Sequence, residues 1–516
     1  MNSRHLLLFT ALGVLSVMFY VSLSAAGGQA GFPLDDAWIH QTYARSLAES
    51  GRMAYVAGQP SAGSTSPLWT LLLSAGYALR IDYHLWTYAL GAVMLALCAW
   101  GVLRLSLRLW PKRAKLALAA GTLCVFEWHL GWAAASGMET LLYTALAIAL
   151  IEWAIRAEPG VQGGLIGGAL GGLLTVTRPE GLLLAGLAAA TWLAHARPAS
   201  AEAQGAGVEA HLRRLLAFSI GFAAPVAPAA WLNLQAGGAI FPNTFYAKQQ
   251  EYAVYFSSLA AWLPRALDVI AAPFVGAPVL LAPGFALQAL AALRRLRNRS
   301  TWGSALPIVW VLAHLAVYAA RLPVTYQHGR YLMPVIPLVV LIGLQGSAAW
   351  IERLAHPRAS RLARYVGVGS LIALAAAMWV IGAATYRADV DIIQNELVAS
   401  ARWLEANTPP DALVAAHDIG AIGYFTRRPL LDLAGLVSPE VIPVLRDEAA
   451  LLELMQQRGA SYFAAPPGFY TTLLDPARLE RASSSASGGT AVWERVFSGG
   501  SPFTPEHWVV FRVTWQ

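Results

Sequence analysis

The sequence predicts a polytopic α-helical membrane protein with a large first outer loop and a C-terminal soluble α/β domain. Of the 516 residues, 57% are hydrophobic and only 13% are charged, whereas soluble domains carry about 25% charged residues. Apolar runs of roughly 20 residues, the length that crosses a bilayer as a helix, recur along the chain. Beyond residue 386 short apolar runs alternate with polar segments. We therefore divide the chain into a transmembrane core, 1–386, and a soluble domain, 387–516.

Eleven apolar segments are predicted to span the membrane. Their bounds are 6–26, 84–105, 115–131, 138–156, 161–177, 181–196, 215–234, 268–292, 304–321, 332–350 and 365–385. The first also has the outline of a signal peptide, but its apolar stretch is long enough to span and is interpreted as a retained helix. Pro67–Leu79 is too short to cross at about 1.5 Å per residue. It is expected to lie on the outer face, within one long outer loop, 27–83.

Basic residues are distributed unevenly between the loops. If the N-terminus is cytoplasmic, the arginine-rich loops such as 294–299 all fall on the cytoplasmic side, and the other loops hold isolated cations. Membrane proteins normally show this bias. It predicts a cytoplasmic N-terminus and a soluble domain on the outer side, and it explains the net charge of +7 without a nucleic-acid partner.

The soluble domain is predicted from alternating helical and strand-like segments. Helices are expected at Ile392–Ala406 and Glu448–Gln457. Short apolar runs lie at Leu413–Ala416, Pro429–Leu433 and Tyr462–Ala465, and strands are expected at Val492–Phe497 and Trp508–Thr514. This pattern is typical of a small α/β domain docked on the outer face.

An acidic pair, Asp35–Asp36, follows the first span. Pro33 just before it indicates a helix start, with Asp35 as the cap and Asp36 in the first turn. Asp36, His40 and Tyr43 then share one helix face. Capping of a surface helix alone would also explain the pair. Paired carboxylates near a bilayer are costly, however, unless they have a partner or a use.

Further polar residues fall in outer loops or at predicted outer ends of spans. They are Ser64, Thr65, Glu139, Arg178, Glu180, Asn243, Tyr246, Lys248, His328 and Arg330. Ordinary turns, snorkelling side chains and anchors to lipid headgroups are the alternative interpretations. The isolated cations run against the charge bias of the outer side, so a local anionic partner such as a phosphate would account for them.

One carboxylate pair and several cations on a single face fit sugar transfer from a polyprenyl phosphate. Such a transfer needs one base for the acceptor's proton. Its phosphate leaving group needs no general acid, but cations or a metal must hold its charge. A glycosidase would instead need two carboxyl groups facing each other across the scissile bond. The chain also lacks the Gly-x-Ser-x-Gly and His-Glu-x-x-His motifs of serine hydrolases and zinc peptidases.

An ordered set of short motifs carries a family resemblance across most of the chain. The motifs are Leu34–Ile39, Tyr43–Ala48, Ala62–Trp69, Ser136–Thr140, Thr177–Gly181, Pro242–Lys248, Arg330–Pro334 and His417–Tyr424. Together they resemble bacterial membrane glycosyltransferases of the GT-C superfamily, in particular relatives of the mycobacterial terminal arabinofuranosyltransferase.

The resemblance implies an inverting glycosyltransferase whose active site lies on the periplasmic side of the bacterial plasma membrane. Its donor would be a polyprenyl-phosphate-linked sugar, and its acceptor a glycan, lipid or protein of the cell envelope. An acidic residue of the first loop would be the catalytic base, which carries over to Asp35 and Asp36, with Asp36 preferred; Asp35 would then cap the helix or position a partner. Metal dependence is left open, because some members of the superfamily use a divalent metal ion.

Roles for the other outer residues come from the chemistry and not from the family. Lys248, Arg178 and Arg330 are expected to bind the donor phosphate. The residues expected to line the substrate pocket are His40, Tyr43, Ser64, Thr65, Glu139, Glu180, Asn243, Tyr246 and His328. A lipid or glycan transporter, such as a flippase, and an envelope-binding scaffold are the alternative functions.

Overall fold

The computed structural model describes residues 3–56, 58–158, 160–195, 204–474 and 491–515. The first part of the chain is a bundle of helices surrounding one continuous apolar core. Its helices are α1 (Ser3–Ala26), α2 (Asp36–Ser50), α3 (Pro67–Ala78), α4 (Tyr83–Leu109), α5 (Ala114–Val125), α6 (Trp128–Ala135), α7 (Thr140–Arg156), α8 (Val161–Thr177), α9 (Gly181–His195), α10 (Gln204–Gly237), α11 (Asn243–Glu251), α12 (Leu259–Ala271), α13 (Ala282–Arg295), α14 (Trp302–Arg321), the single turn α15 (Tyr326–Gly329), α16 (Ile336–Ile351), α17 (Pro357–Ile392) and α18 (Ala399–Asn407). A small hairpin, β1 (Ala54–Val56) and β2 (Gln59–Pro60), follows α2.

Each of the eleven predicted spans coincides with one or more of these helices. In the described part of the chain, seven helices are long and apolar enough to cross a membrane, or eight if the bent pair α5–α6 is one span. Helices α8 and α9 are shorter apolar helices. The multi-pass helical architecture is therefore confirmed, while the count of eleven stays a prediction.

Two predicted spans are not continuous helices, and that part of the prediction is wrong. Segment 115–131 is split into α5 and α6, which meet at 51°. The break comes where the Glu127 carboxylate accepts a hydrogen bond from the N–H of Leu130 at 3.1 Å and so starts a new helix. Segment 268–292 is split between α12 and α13 by short 3₁₀ turns, in a stretch with Pro273, Pro278 and left-handed Gly276.

Contacts join loops at each end of the bundle, while the sidedness of these ends stays a prediction. At one end, Arg113 before α5 is paired with Glu352 after α16 at 2.5 Å. At the other end, the first outer loop contacts the connections that lead into α7, α11 and α16. Helix α3, only 12 residues long, packs there against α2 and α4, so the predicted short outer helix is confirmed.

The C-terminal region forms a five-stranded mixed sheet with helices. Its elements are β3 (Val414–Ala416), α19 (Gly420–Thr426), β4 (Leu430–Asp432), α20 (Glu448–Arg458), β5 (Tyr462–Ala465), β6 (Ala491–Ser498) and β7 (Val509–Trp515). The strand order is β4-β3-β5-β7-β6, parallel across β4, β3 and β5 and antiparallel across β5, β7 and β6. The predicted α/β character and the two predicted strands are confirmed, and each of the three short apolar runs also forms a strand. Helix α17 runs without a break past residue 387, through the π-helical turn Ile393–Val398 into α18, so the domain boundary stays a prediction.

Alternating residues of this sheet belong to two different apolar cores. Val414 and Ala416 pack in the core that is continuous with the helix bundle, whereas Ala415 between them packs in a separate core. Tyr462 and Phe463 divide in the same way. Because strand side chains alternate between faces, one face of the sheet is an extension of the bundle core. The C-terminal region is therefore built onto the bundle.

Candidate active site

Asp36 is the first residue of α2. Its carboxylate faces Arg330, a cation that comes much later in the sequence. The Arg330 guanidinium donates to Asp36 Oδ2 through its Nη2 atom. The Asp36 side chain is 33% exposed, whereas that of Arg330 is 4% exposed. Burial works against ionisation of Asp36, but the charges of Arg330 and Lys248 outweigh it and lower the pKa of Asp36 below its usual value. Asp36 is therefore an ionised carboxylate that remains open to a ligand.

Tyr331 lies between three of the predicted cations. Its hydroxyl accepts hydrogen bonds from Arg330 Nη2, at 3.0 Å, and from Lys248 Nζ. The cationic groups of Arg330, Lys248 and Arg178 lie 4.9, 4.9 and 5.3 Å from the centroid of its ring. The structure thus brings together the three residues predicted to bind a phosphate. Tyr331 was missed as a site residue, although it belongs to the motif Arg330–Pro334.

Several buried N–H groups of these arginines have no acceptor. Among the described residues, Nε and Nη1 of Arg330 and Nη1 of Arg178 make no hydrogen bond, although the two residues are only 3% and 4% exposed. Lys248 likewise has no carboxylate within ion-pair distance in the described part of the chain. Buried cationic donors are costly when unpaired. Their arrangement fits an anionic ligand with several acceptor oxygens.

Glu139 connects Arg178 to α2. Its carboxylate accepts a hydrogen bond from Arg178 Nε at 2.6 Å and lies 3.1 Å from His40 Nε2. The carboxylate is buried, and the ion pair with Arg178 offsets the cost of its charge there. Glu180 lies 3.8 Å from Arg178 Nη1 and accepts a hydrogen bond from the hydroxyl of Tyr318. The charge of Arg178 is therefore largely balanced, unlike that of Lys248.

Asp35 does not cap its own helix, and that prediction is wrong. Its side chain makes no capping hydrogen bond to α2. The carboxylate instead accepts from the backbone N–H groups of Gly420 and Ala421, at 2.5 and 2.7 Å, where α19 begins. Asp418 just before α19 is a third carboxyl group of this region that the sequence did not single out. Burial and the nearby charge of Asp36 raise the pKa of Asp418 to about 7.

Four predicted pocket residues take part in the packing of the outer loops instead of facing Asp36. The Tyr43 hydroxyl is 2.6 Å from the Ser61 hydroxyl and accepts from the N–H of Gly63. Ser64 contacts the hydroxyl of Thr70 at 3.2 Å, and Thr65 after it is half-buried. Asn243 donates from its backbone to Ala62 and from its side chain to Leu436.

Two other predicted pocket residues lie on the flanks of the site. His328 Nε2 is 2.7 Å from Asp389, which also accepts from the indole N–H of Trp132. Tyr246 is half-buried, and its ring packs edge-on against Phe245. In the described part of the chain no group of three or more His, Cys, Asp or Glu side chains could hold a metal ion; metal dependence therefore stays open.

Comparisons with known proteins bear on the fold. Residues 386–511 match a family described as a domain of unknown function, DUF8728. No curated protein matches the chain. ArnT from Cupriavidus metallidurans bound to undecaprenyl phosphate matches with a TM-score of 0.58 and 13% identity, over 99% of this chain and 98% of its own.

Two further solved structures are more distant. AglB, the archaeal oligosaccharyltransferase from Archaeoglobus fulgidus, in complex with an inhibitory peptide and a dolichol-phosphate, matches with a TM-score of 0.53 and 11% identity, over 89% of this chain and 69% of its own. The mycobacterial arabinofuranosyltransferase AftD is 17% identical over all of this chain and 42% of its own, but its TM-score of 0.48 is too low to bear on the sugar. The chain is a multi-pass membrane protein whose fold is similar to those of ArnT and AglB.

Proposed function

We propose that this protein is an inverting glycosyltransferase that moves a sugar from a polyprenyl phosphate to a hydroxyl group of a cell-envelope acceptor. The observation that carries the proposal is the set of buried, unpartnered N–H groups on Arg330 and Arg178 beside Lys248, one side chain away from the ionised Asp36. Such a site offers donors for a phosphate and a base for a hydroxyl. The undecaprenyl phosphate bound to ArnT and the dolichol-phosphate bound to AglB support this class of donor.

The reaction needs one proton transfer and one displacement at the anomeric carbon. The acceptor oxygen attacks that carbon as its proton passes to the Asp36 carboxylate. The bond between the carbon and the phosphate oxygen breaks, and the polyprenyl phosphate leaves with the bonding electrons. Arg330 and Lys248 stabilise the charge on that phosphate. A bound donor phosphate also offsets the positive charge beside Asp36, which raises its pKa and makes it a better base than in the free protein.

The orientation is proposed from the charge bias of the loops. The end that carries Asp36 faces the periplasm, and the arginine-rich end faces the cytoplasm. The donor then reaches the site from the outer leaflet, with its prenyl tail in the membrane lipid.

The function can be tested with the full-length protein purified into lipid nanodiscs. Polyprenyl phosphates carrying labelled pentoses or hexoses are incubated with a cell-envelope acceptor fraction. We expect label in the acceptor and release of free polyprenyl phosphate. If no donor loses its sugar although polyprenyl phosphate binds, the proposal is wrong; movement of intact donor across a liposome bilayer would then favour the flippase alternative.

A change at Lys248 should alter the pH dependence of transfer. Loss of its charge in Lys248→Met removes one of the cations that lower the pKa of Asp36. Since the base must be ionised, activity is lost as the pH falls through this pKa, and the acidic limb of the kcat profile should move to higher pH. The profile is measured at saturating donor, because Lys248→Met is also expected to raise the KM for the donor.

Lys115→Met is the matched control for that experiment. Lys115 is exposed at the start of α5, at the opposite end of the bundle. The Lys115→Met variant loses the same charge as Lys248→Met, but its site is unchanged. Its pH profile should therefore match that of the unmodified protein. Equal profiles for Lys248→Met and Lys115→Met would contradict the proposed pairing of Lys248 with Asp36.

A further inference from the structure

The acidic loop and the C-terminal region meet at the beginning of α19. The Asp35 carboxylate accepts hydrogen bonds there from two consecutive backbone N–H groups, at 2.5 and 2.7 Å. Asp35 is 7% exposed, so these bonds are shielded from water. Breaking them would leave buried polar groups without partners, so they tie Asp35 firmly to the start of α19.

The rest of α19 lies along α2. The Tyr55 hydroxyl donates to the carbonyl of Ile419 at 2.6 Å, and Arg45 Nη2 donates to the carbonyl of Tyr424 at 2.9 Å. The indole ring of Trp38 lies 4.9 Å from the Tyr424 ring and 4.8 Å from the Phe425 ring. Contacts therefore extend from the residue before α2 to its third turn, and they fix the two helices against each other.

Gly420 has no side chain, which allows the backbone of α19 to lie directly against Asp35. A Cβ atom at this position would lie 2.0 Å from the carbonyl oxygen of Asp35 and 2.7 Å from its Oδ2. That carbonyl belongs to the peptide bond joining Asp35 to Asp36. Any side chain at 420 would thus displace the backbone of the catalytic pair itself.

We propose that Asp35 is a positioning residue and that the C-terminal region, through the start of α19, holds Asp36 in its reactive position. The inference rests on the proposed function, in which Asp36 is the base. Asp36 is then fixed from two directions: Arg330 holds its carboxylate, and α19 holds the residue before it. The sheet face that continues the bundle core gives α19 a rigid support.

This proposal assigns a role to the segment that matches the domain of unknown function. It is a structural part of the catalytic centre, and not a glycan-binding module attached to a complete enzyme. The chemistry remains with Asp36, because both carboxylate oxygens of Asp35 already accept hydrogen bonds from the start of α19.

Gly420→Ala tests the proposal from the C-terminal side. A shift of about 1 Å in a reacting group can lower a rate about 100-fold, so we expect kcat to fall about 10- to 100-fold. The Kd for undecaprenyl phosphate should stay within about twofold, since the cations that hold the phosphate are not displaced. A purely structural defect would instead weaken donor binding and lower the unfolding temperature in parallel with kcat.

The control variants distinguish a failure of the positioning role from a failure of the proposed glycosyltransferase function. Gly500→Ala is the matched substitution in the same region, since a Cβ at Gly500 meets nothing within 4 Å, and it should leave kcat unchanged. Asp35→Asn should lower kcat like Gly420→Ala, and the double variant should be no worse than the more affected single variant. If the unmodified protein transfers sugar and Gly420→Ala matches Gly500→Ala, the positioning role is wrong; if the unmodified protein transfers no sugar, the proposed function itself fails.

Discussion

Asp36→Asn is expected to lower sugar transfer about 100- to 10,000-fold, the usual contribution of a general base. Asparagine has nearly the same shape as aspartate, but it cannot accept the proton of the acceptor hydroxyl. The loss should appear in kcat at saturating donor and acceptor. Binding of polyprenyl phosphate should be kept or become tighter, because the variant removes a negative charge beside Arg330.

Glu49→Gln is the matched control for Asp36→Asn. Glu49 lies on the same helix, and its side chain is 55% exposed, so the same chemical change there should leave transfer unaffected. Thermal unfolding of both variants shows whether the protein remains folded. A fully active Asp36→Asn variant would exclude Asp36 as the base, and equal losses in the two variants would point to a general effect of charge on α2.

The sequence was sufficient to place Asp36 because that prediction needed only local patterns. Pro33 and the helical spacing that follows placed the start of α2 at the acidic pair, and the charge bias put the pair on the same end as Lys248 and Arg330. The last two strands of the C-terminal region, β6 and β7, were predictable for the same reason, since they could be identified from short segments of the sequence alone.

Long-range pairings could not be predicted in this way. Asp35 was assigned to its own helix because a cap is a local interaction, but its partners lie 385 and 386 positions further along the chain. Tyr331 carries no charge, so the charge pattern does not distinguish it, whereas its role depends on a hydroxyl group and on a ring that three cations share. Glu127 lies inside the predicted span 115–131, whose apolar composition gives no sign of a break, yet its carboxylate starts α6.

Arg330→Gln is expected to weaken the binding of undecaprenyl phosphate at least about tenfold. Hydrogen bonds to charged groups contribute about 1.5–3 kcal/mol each, and a tenfold change in Kd corresponds to about 1.4 kcal/mol. Glutamine offers one donor group and no charge in place of a guanidinium whose Nε and Nη1 atoms are still unpartnered. The Kd is measured directly with undecaprenyl phosphate and the nanodisc protein, independently of transfer.

Two variants show whether phosphate binding depends on the geometry of the Arg330 guanidinium or on positive charge alone. Arg330→Lys keeps the charge but not the planar fork, so its affinity should fall between those of the unmodified protein and Arg330→Gln. Arg321→Gln removes an exposed cation from the end of α14 that faces the site, where it stacks on Phe245 at 5.8 Å, and it should leave the Kd nearly unchanged. Equal weakening by Arg321→Gln would mean that the phosphate responds to the overall charge of this surface, and the specific contact with Arg330 would have to be abandoned.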